Sequence, residues 1–311
     1  MSIKVAAVVG PTASGKTALA VELAKRLNGE VISCDSMQIY KKMNTGTAKP
    51  TLEEMGGIFH HMIDIVEPTV DYSCADYAQT AKNIISEVDS RGKYPIFCGG
   101  TGLYVDHVLS NTTFSDAGRD DGYRKELEQQ INDFGVERIY EKLKEVDPDS
   151  AANIHPNNTK RVIRALEIYH TTGKTKSYWD YESKKTPPMY DAKIILLDFA
   201  DREKLYDRIN RRVDIMMDMG LVDEVSSLFE EYGDTISSTA LQGIGYKEII
   251  DYLKGNCSLE DAVENIKKGT RNYAKRQLTW FRRNPDAKRI FVDECSDFEK
   301  IVNIAKNALT D

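Results

Sequence analysis

A glycine-rich loop between an apolar run and a helical pattern constrains the fold of this chain most strongly. The run IKVAAVV (residues 3–9) leads directly into GPTASGKT (residues 10–17), and the helical pattern TALAVELAKRL (residues 17–27) follows. The loop completes G-x-x-x-x-G-K-[ST] in the strand, loop and helix setting that this motif requires. In such a setting, backbone N–H groups and the positive end of the helix bind phosphate oxygens. The sequence therefore predicts a phosphate-binding loop at the end of a strand.

The residues of this loop have separate tasks. Gly10 and Gly15 let backbone N–H groups turn inward, Lys16 supplies a point charge, and the Thr17 hydroxyl can ligate Mg²⁺. The loop recognises phosphate groups and does not say what they are attached to. The predicted phosphate-binding residues are Gly10, Pro11, Thr12, Ala13, Ser14, Gly15, Lys16 and Thr17.

Five apolar runs predict the strands of a buried parallel sheet. They are IKVAAVV (residues 3–9), EVISC (residues 30–34), YPIFCG (residues 94–99), KIILLDF (residues 193–199) and RIFVD (residues 289–293). Continuous apolar runs are typical of strands that are covered on both faces. Helical patterns lie between the runs, so the sequence predicts an α/β fold, a P-loop NTPase-like parallel sheet flanked by helices.

One interval breaks this alternation of strands and helices. About ninety residues separate the run near residue 98 from the run near residue 194, which is too many for an ordinary crossover. Residues 122–154 and 157–173 carry helical periodicity, which predicts a helical insertion. The predicted parts are a core of residues 1–114 and 191–311, an insertion of residues 115–190, and hinges at residues 112–122 and 181–191.

The cysteines and histidines bear on disulfide bonds and metal sites. The five cysteines include no C-x-x-C pair, so neither a disulfide framework nor a zinc ribbon is predicted. Adjacent His60 and His61 point apart and have no evident third ligand, so we expect structural roles for them.

The N-terminus is interpreted as a core strand and not as a cleavable signal. No stretch reaches the roughly 20 apolar residues of a membrane span. We therefore expect a cytoplasmic protein with no membrane partner.

The charge distribution bears on a nucleic-acid partner. A formal net charge of −7 argues weakly against such a partner, because phosphate backbones are bound by lysine and arginine. Residues 267–289, however, contain nine basic residues and one acid, Asp286, which is +8 locally. This asymmetry suggests a nucleic-acid face. A solvated basic helix explains the same charges, and charge alone leaves both interpretations open.

Polar residues follow two of the predicted strands. Asp35 comes after the second run, and Thr101 lies in CGGTGLY (residues 98–104) after the third. The carboxyl ends of parallel strands converge on one crevice, so both side chains should face the phosphate loop. A carboxylate in that position can serve as a general base toward an incoming nucleophile.

Several segments resemble one family, the tRNA dimethylallyltransferases, also called tRNA isopentenyltransferases. The matching segments are GPTASGKT, VISCDSMQIYKKMNTGTAKP, HHMIDIVEP, YSCADY, RGKYPIFCGGTGLY, HPNNTKRVIRALEIY, LYDRINRRVDIMMDMGLVDEV, LQGIGYKEI and RNYAKRQLTWFR. They span residues 10–282, and the pairing of DSMQ with GGTGLY makes the match specific. The absence of a C-terminal Cys/His module resembles the bacterial form. The least similar part is FSDAGRDDGYRKELE (residues 114–128).

The resemblance implies a prenyl transfer to tRNA. A dimethylallyl group would pass from dimethylallyl diphosphate to N6 of adenosine 37, next to the anticodon, with release of diphosphate. The phosphate loop would hold the diphosphate, with Mg²⁺ at Thr17. Asp35 would remove the amine proton, while Lys16 and Thr101 would stabilise the departing diphosphate. Arg208 and Arg212 would complete the diphosphate clamp, although a charged helix face explains them equally well.

The resemblance also implies a surface for the tRNA anticodon stem-loop. The residues carried over to tRNA contact are Asp35, Ser36, Met37, Gln38, Thr101, Arg124, Lys160, Arg161, Val162, Ile163, Arg164, Gln242, Gly243, Ile244, Gly245, Tyr246, Lys275, Arg276, Gln277 and Arg282. Tyr273, Trp280 or Phe281 could stack on bases, and the last two could equally belong to the core. The expected partners are tRNA and dimethylallyl diphosphate, and we expect a monomer.

Three other functions share part of this pattern. A prenyltransferase acting on free adenylate would use the same loop and Asp35, but would not need the basic segment or the insertion. A small-molecule kinase would need a second acidic metal ligand, for which Asp198 is a weak candidate. A non-catalytic RNA-binding protein would not need Asp35 for its function.

Overall fold

The structure is a computed structural model that describes residues 2–110 and 118–310. The chain divides into two compact units, Met1–Leu109 with Met189–Asp311, and Ser110–Pro188. The second unit thus begins at residue 110 and ends at residue 188, where the sequence placed the insertion at residues 115–190. Most of the first predicted hinge, residues 112–122, lies outside the described residues.

A parallel sheet forms the centre of the first unit. Its strands are β1 (Ile3–Val9), β2 (Gly29–Ser33), β3 (His60–His61), β4 (Tyr94–Gly99), β5 (Tyr190–Asp198) and β6 (Lys288–Phe291). They lie in the order β3-β2-β4-β1-β5-β6, and every pairing between them is parallel. The predicted α/β fold is confirmed, and each of the five apolar runs overlaps a strand. Strand β3 was not predicted, because two residues make no recognisable pattern.

Helices follow the strands in the first unit and make up the second. In the first unit they are α1 (Lys16–Leu27), α2 (Leu52–Met55), α3 (Cys74–Ser90) and α4 (Gly102–Leu109), then α10 (Arg202–Asp218), α11 (Leu221–Tyr232), α12 (Tyr246–Leu253), α13 (Leu259–Phe281) and α14 (Phe298–Thr310). In the second unit they are α5 (Asp121–Phe134), α6 (Val136–Val146), α7 (Pro148–Asn153), α8 (Thr159–Thr172) and α9 (Lys176–Lys185). Most of the second predicted hinge, residues 181–191, is therefore regular structure, because α9 extends to Lys185 and β5 begins at Tyr190.

Burial of the central strand explains the continuous apolar runs. Residues 5–9 of β1 are all 0% exposed, so both faces of this strand are covered. On one face, Leu19 and Leu23 of α1 and Val302 of α14 join the same core cluster as Ile195 of β5. This packing fixes the start of α1, and with it the phosphate loop.

The second unit has a core of its own. Leu127, Ile139 and Leu143 are fully buried there, and they pack in one cluster with Val162 and Ile163 of α8. The exposed fractions of Val162 and Ile163 are 0% and 6%. Both side chains therefore face the core of the unit, and a contact of residues 162 and 163 with tRNA stays a prediction.

Glu30 joins β2 to its neighbours through a buried ionic cluster. Its carboxylate accepts hydrogen bonds from His61 at 2.7 Å, Arg91 at 2.6 Å and Lys93 at 2.8 Å. Burial alone would raise the pKa of Glu30, but these hydrogen bonds outweigh it and lower the pKa to about 2. His61 thus has the structural role expected of it.

Glu30→Gln is expected to lower the free energy of unfolding by about 3 kcal/mol at neutral pH. The pKa of Glu30 is depressed on folding, so this contribution is present above the ordinary pKa of 4.5 and is lost as the pH falls toward 2. Urea unfolding of both proteins between pH 7 and pH 3 measures the effect. Glu87→Gln, at an exposed position on α3, is the control. Equal stability of Glu30→Gln and the parent at pH 7 would contradict the expectation.

Candidate functional site

The phosphate loop has the backbone shape that its motif predicts. Gly10 has a φ of 145° and Gly15 has a φ of 91°, values that residues with a side chain rarely adopt. Ala13 also has a positive φ, of 62°. A Cβ at Gly10 would lie 2.5 Å from the carbonyl oxygen of Leu197, so only glycine fits there. The Ser14 hydroxyl oxygen is buried and has no hydrogen-bond partner within the described residues. The loop thus holds polar groups that a bound anion can satisfy.

Lys16 lies at the base of this loop, and the pKa of its ammonium group is lowered. Its Nζ donates a hydrogen bond to the carbonyl of Pro11 at 2.6 Å. Burial is the main cause that lowers the pKa of Lys16, the charge of Arg212 also lowers it and the charge of Asp35 raises it, and the resulting pKa is about 8. Three charged side chains that the sequence named separately therefore lie within electrostatic reach of one another. An anion bound in the loop would stabilise the protonated form of Lys16.

Asp35 and Thr101 lie at neighbouring strand ends. Oδ1 of Asp35 accepts a hydrogen bond from the Met37 N–H at 2.9 Å, which orients the carboxylate. The Thr101 hydroxyl oxygen accepts from the Ser36 N–H at 3.1 Å, and the Thr101 N–H donates to the Cys34 carbonyl at 3.1 Å. Since β4 lies between β1 and β2, Thr101 follows the strand between those that carry the loop and Asp35.

A cavity of about 270 Å³ connects the phosphate loop to Asp35. Thr12 of the loop, Arg212 and Asp35 all line it, as do the apolar side chains of Ile209, Val213, Met216, Ile244 and Ile266. Of the predicted tRNA-contacting residues, those in its lining are Asp35, Ser36, Met37, Gln242, Gly243, Ile244, Tyr246 and Arg276. The cavity combines a phosphate end, a carboxylate and apolar walls.

A second pocket of about 410 Å³ surrounds the outer side of the loop. Lys16 and Thr17 line it together with Arg208, Arg211 and Arg212. Arg208 Nε donates to the carbonyl of Ala13 at 2.8 Å, so this arginine braces the loop. Burial lowers the pKa of Arg212, and the charge of Asp35 opposes this shift. The structure thus places Arg208 and Arg212 at the loop and not on a remote helix face.

Tyr273 of α13 adds a hydroxyl to the cavity. Burial raises the pKa of Tyr273, and the charge of Asp35 raises it further, so the hydroxyl stays protonated at neutral pH. The sequence had suggested Tyr273 only as a residue that stacks on bases. Its position on the same helix as the basic segment gave no sign that it would lie near Asp35.

Gln277 ties two loops of the site together. Its Oε1 accepts from the Thr12 N–H at 2.9 Å, and its Nε2 donates to the Gly100 carbonyl at 3.0 Å. The side chain is buried, and a Cβ at Gly100 would lie 1.9 Å from Nε2. Both ends of the amide are thus used inside the protein, and a contact of Gln277 with tRNA stays a prediction.

The end of α13 is anchored to the sheet. Arg282 makes two hydrogen bonds to the buried Asp198 carboxylate, at 2.9 Å and 2.7 Å. Asp198 is thus engaged by an arginine, which disfavours it as the metal ligand of a kinase. Phe281 is buried, and Trp280 Nε1 donates to Asp106 at 2.9 Å. These two aromatic residues belong to the packing of α13.

Basic residues of the second unit form a separate cluster. Glu167 is fully buried and accepts hydrogen bonds from Arg124 at 2.7 Å and 2.8 Å, and from Arg164 at 2.6 Å. Burial would raise the pKa of Glu167, but these bonds lower it to about 2. Lys160 and Arg161 are exposed on the first turn of α8. Glu167 thus holds the guanidinium groups of Arg124 on α5 and Arg164 on α8, and the exposed cations lie on α8.

Gln38, Gly245 and Lys275 are the remaining predicted tRNA-contacting residues. Gln38 is engaged inside the protein, since its Oε1 accepts from the Ser33 hydroxyl at 2.9 Å and its Nε2 donates to the Thr47 carbonyl at 3.3 Å. Gly245 is the N-cap residue directly before α12 and has a φ of 107°. Lys275 is exposed on α13 beside Arg276.

Sequence reasoning also missed several residues of the site. Gly46, Thr47 and Ala48 line the cavity, and Glu224 holds the chain that contains them. Both sets of residues lie in segments that carry the family resemblance, but no role was assigned to them, and Glu224 is far from residues 46–48 in the sequence.

The described residues lack two kinds of feature. Among them, no three His, Cys, Asp or Glu side chains group so as to hold a metal ion. No described helix is both long enough and apolar enough to cross a membrane.

Comparison with known proteins agrees with this architecture. Residues 38–284 match the sequence model of the family described as IPP transferase. The chain is 51% identical over 302 residues to a tRNA dimethylallyltransferase of Thermoanaerobacter sp. (strain X514), covering 97% of this chain and 96% of the relative. It is 48% identical over 304 residues to one of Halalkalibacterium halodurans, with 98% and 96% coverage.

Solved structures show the same relationship. A tRNA isopentenylpyrophosphate transferase of Bacillus halodurans superposes with a TM-score of 0.72 at 46% identity, covering 98% of this chain and 96% of that one. A eukaryotic dimethylallyltransferase, captured acting on tRNA, gives a TM-score of 0.82 at 32% identity, with 96% and 76% coverage. The family match and the near full-length identity confirm the resemblance read from the motifs, and the chain belongs to the IPP transferase family, whose relatives here are tRNA dimethylallyltransferases.

Proposed function

We propose that this enzyme transfers a dimethylallyl group from dimethylallyl diphosphate to N6 of adenosine 37, 3′ of the anticodon, in tRNA. The product is N6-dimethylallyladenosine, and diphosphate is released. The observation that carries the proposal is one cavity lined by both the phosphate loop and Asp35. A donor held at the loop would place its allylic carbon between the leaving diphosphate and the acceptor amine.

The acceptor amine requires a base. The lone pair on N6 of adenine is delocalised into the ring, so N6 must lose a proton as the new C–N bond forms. We assign this proton to the Asp35 carboxylate, whose orientation is set by the Met37 N–H. The bond that breaks is the C–O bond between the allylic carbon and the diphosphate, and its electron pair leaves with the diphosphate.

The leaving group requires positive charge and N–H donors. Negative charge grows on the diphosphate as the C–O bond breaks, and preorganised donors stabilise it. Lys16, Arg212 and the backbone N–H groups of the loop have this role, and Arg208 braces the loop through Ala13. Thr101 would act from the neighbouring strand end.

A Mg²⁺ ion fits the residues present. Mg²⁺ is usually bound through one or two protein oxygens together with substrate phosphates and water, so a protein cage of carboxylates is not required. The Thr17 hydroxyl lines the pocket around the loop and would provide the protein ligand. When bound, the ion would add positive charge beside the diphosphate.

The tRNA anticodon stem-loop would be bound by basic residues of both units. Lys275 and Arg276 are exposed on α13, and Lys160 and Arg161 are exposed on α8. Their contacts with phosphates would weaken at high salt. The target adenine must leave the stack of the loop to enter the cavity, which costs a few kcal/mol.

A transfer assay tests this function. Incubation with labelled dimethylallyl diphosphate and either unmodified tRNA or AMP is expected to place the label in tRNA, at adenosine 37. Nuclease digestion and chromatography would identify the modified nucleoside. Label mainly in AMP would show a free-nucleotide prenyltransferase, and formation of ADP from ATP with a small-molecule acceptor would show a kinase. Either result contradicts the proposal.

A further inference from the structure

Glu224 of α11 binds a segment of chain that forms part of the cavity wall. Its Oε2 accepts hydrogen bonds from the N–H groups of Asn44 at 3.1 Å and Thr45 at 2.7 Å. Its Oε1 accepts from the N–H of Gly46 at 3.1 Å. One carboxylate thus takes three consecutive backbone donors from a part of the chain almost 180 residues away. Hydrogen bonds to an ionised acceptor are stronger than neutral ones, so this contact restrains the segment.

Tyr246 completes the same contact. Its hydroxyl donates to Oε1 of Glu224 at 2.7 Å, and its side chain is buried. Burial raises the pKa of Tyr246, and the charge of Glu224 raises it further, so the hydroxyl remains a donor. The ring packs against Gly46, where a Cβ would lie 2.5 Å from a ring carbon. Glycine at this position therefore allows the segment to approach the ring closely.

We call residues 44–48 the wall segment. Its residues 46–48 line the cavity that contains Asp35, but none of them lines the pocket around Lys16. Gln38 holds the segment from another side, since its Nε2 donates to two of the segment's carbonyl groups at 3.3 Å. The wall segment is thus fixed at both its N–H groups and its carbonyl groups. Its position bears on what enters the cavity and not on the phosphate loop.

We propose that Glu224 is a positioning residue that holds the wall segment against the acceptor adenine. The inference rests on the proposed function, because it assigns the cavity beyond Asp35 to the acceptor. Glu224 acts through the wall segment and lines neither the cavity nor the loop pocket. Loosening the segment is expected to impair the placement of the adenine and to leave donor binding unchanged. Small misplacements of a reacting group cost large factors in rate.

Glu224→Gln tests this role at constant shape. The amide keeps one acceptor oxygen but turns an NH₂ group toward backbone or tyrosine donors. Hydrogen exchange at residues 44–48 should become roughly 10-fold faster, because hydrogen bonds to a charged acceptor are lost. The kcat/KM for tRNA should fall roughly 10- to 100-fold, while the KM for dimethylallyl diphosphate stays constant. Glu230→Gln, at an exposed position on the same helix, is the matched control and should match the parent in both measurements.

A second variant keeps the test decisive if Glu224→Gln folds poorly. Tyr246→Phe removes one donor and leaves the three backbone bonds, so its exchange at residues 44–48 should lie between those of the parent and Glu224→Gln. Unchanged exchange in both variants would overturn the restraint by Glu224. Faster exchange with parental kcat/KM for tRNA would overturn the positioning role. A parent protein without transfer activity would instead overturn the proposed function, and the exchange data would still decide whether Glu224 restrains the segment.

Discussion

Asp35→Asn is expected to lower kcat by a factor of about 10² to 10⁴, because general bases contribute by this amount. The substitution keeps the volume of the side chain and an oxygen that can accept from the Met37 N–H, so the strand end should keep its shape. What the variant lacks is a group that can take the N6 proton. Single-turnover transfer of labelled dimethylallyl to tRNA measures the change in the chemical step.

Measuring tRNA affinity distinguishes a role of Asp35 as the general base from a role in binding tRNA. Filter binding or gel shift of unmodified tRNA should give Asp35→Asn and Asp35→Ala nearly the affinity of the parent. Asp89→Asn, at an exposed position on α3, is the control for the loss of a carboxylate. Full turnover of either Asp35 variant would refute the assignment of the base, and it would also favour a non-catalytic interpretation of the carboxylate.

Lys16→Met should lower kcat/KM for dimethylallyl diphosphate by a factor of about 10² to 10³, which is the usual cost of losing one donor to a developing charge. Methionine keeps most of the apolar stem of Lys16 and removes its charge. Burial depresses the pKa of Lys16 to about 8 in the free enzyme, so its charge is present below that pH and is lost above it. In the parent, kcat/KM for the donor should therefore decline above about pH 8, since this parameter reports the free enzyme.

The pH profile is the discriminating measurement. Lys16→Met should show no decline near pH 8, whereas Lys25→Met, at an exposed position on α1, should keep the parental profile. The affinity for tRNA should not change in Lys16→Met. A decline near pH 8 that persists in Lys16→Met would assign the titration to another group.

The local patterns of the sequence predicted the phosphate loop and most of the sheet. The motif at residues 10–17 specifies its own backbone shape, because its glycines and the following helix are neighbours in the chain. Continuous apolar runs predicted the buried strands, because the residues of each run are also neighbours in the chain. Strand β3 escaped prediction since two residues paired at a sheet edge carry no periodicity.

Individual contacts were harder to predict. Gln277 lies within a basic segment, and the resemblance implied that it contacts tRNA. The structure instead buries its amide between Thr12 and Gly100, 265 and 177 residues away. Val162 and Ile163 also lie in a segment assigned to tRNA contact, but their side chains are buried. A basic helix such as α8 needs an apolar face for its own core. Family likeness identifies a segment, but the helix phase decides which of its side chains reach a ligand.

The sequence by itself therefore determined the α/β class, the phosphate loop, the carboxylate after β2 and the family. Only the tertiary structure decided that β4 lies between β1 and β2, which brings Thr101 between the loop and Asp35. It also decided that residues 46–48 and Tyr273 line the cavity with Asp35, and that Glu224 restrains the wall segment. The physical reason is that motifs record interactions between neighbours in the chain, whereas the cavity is made by hydrogen bonds and packing between residues far apart in it.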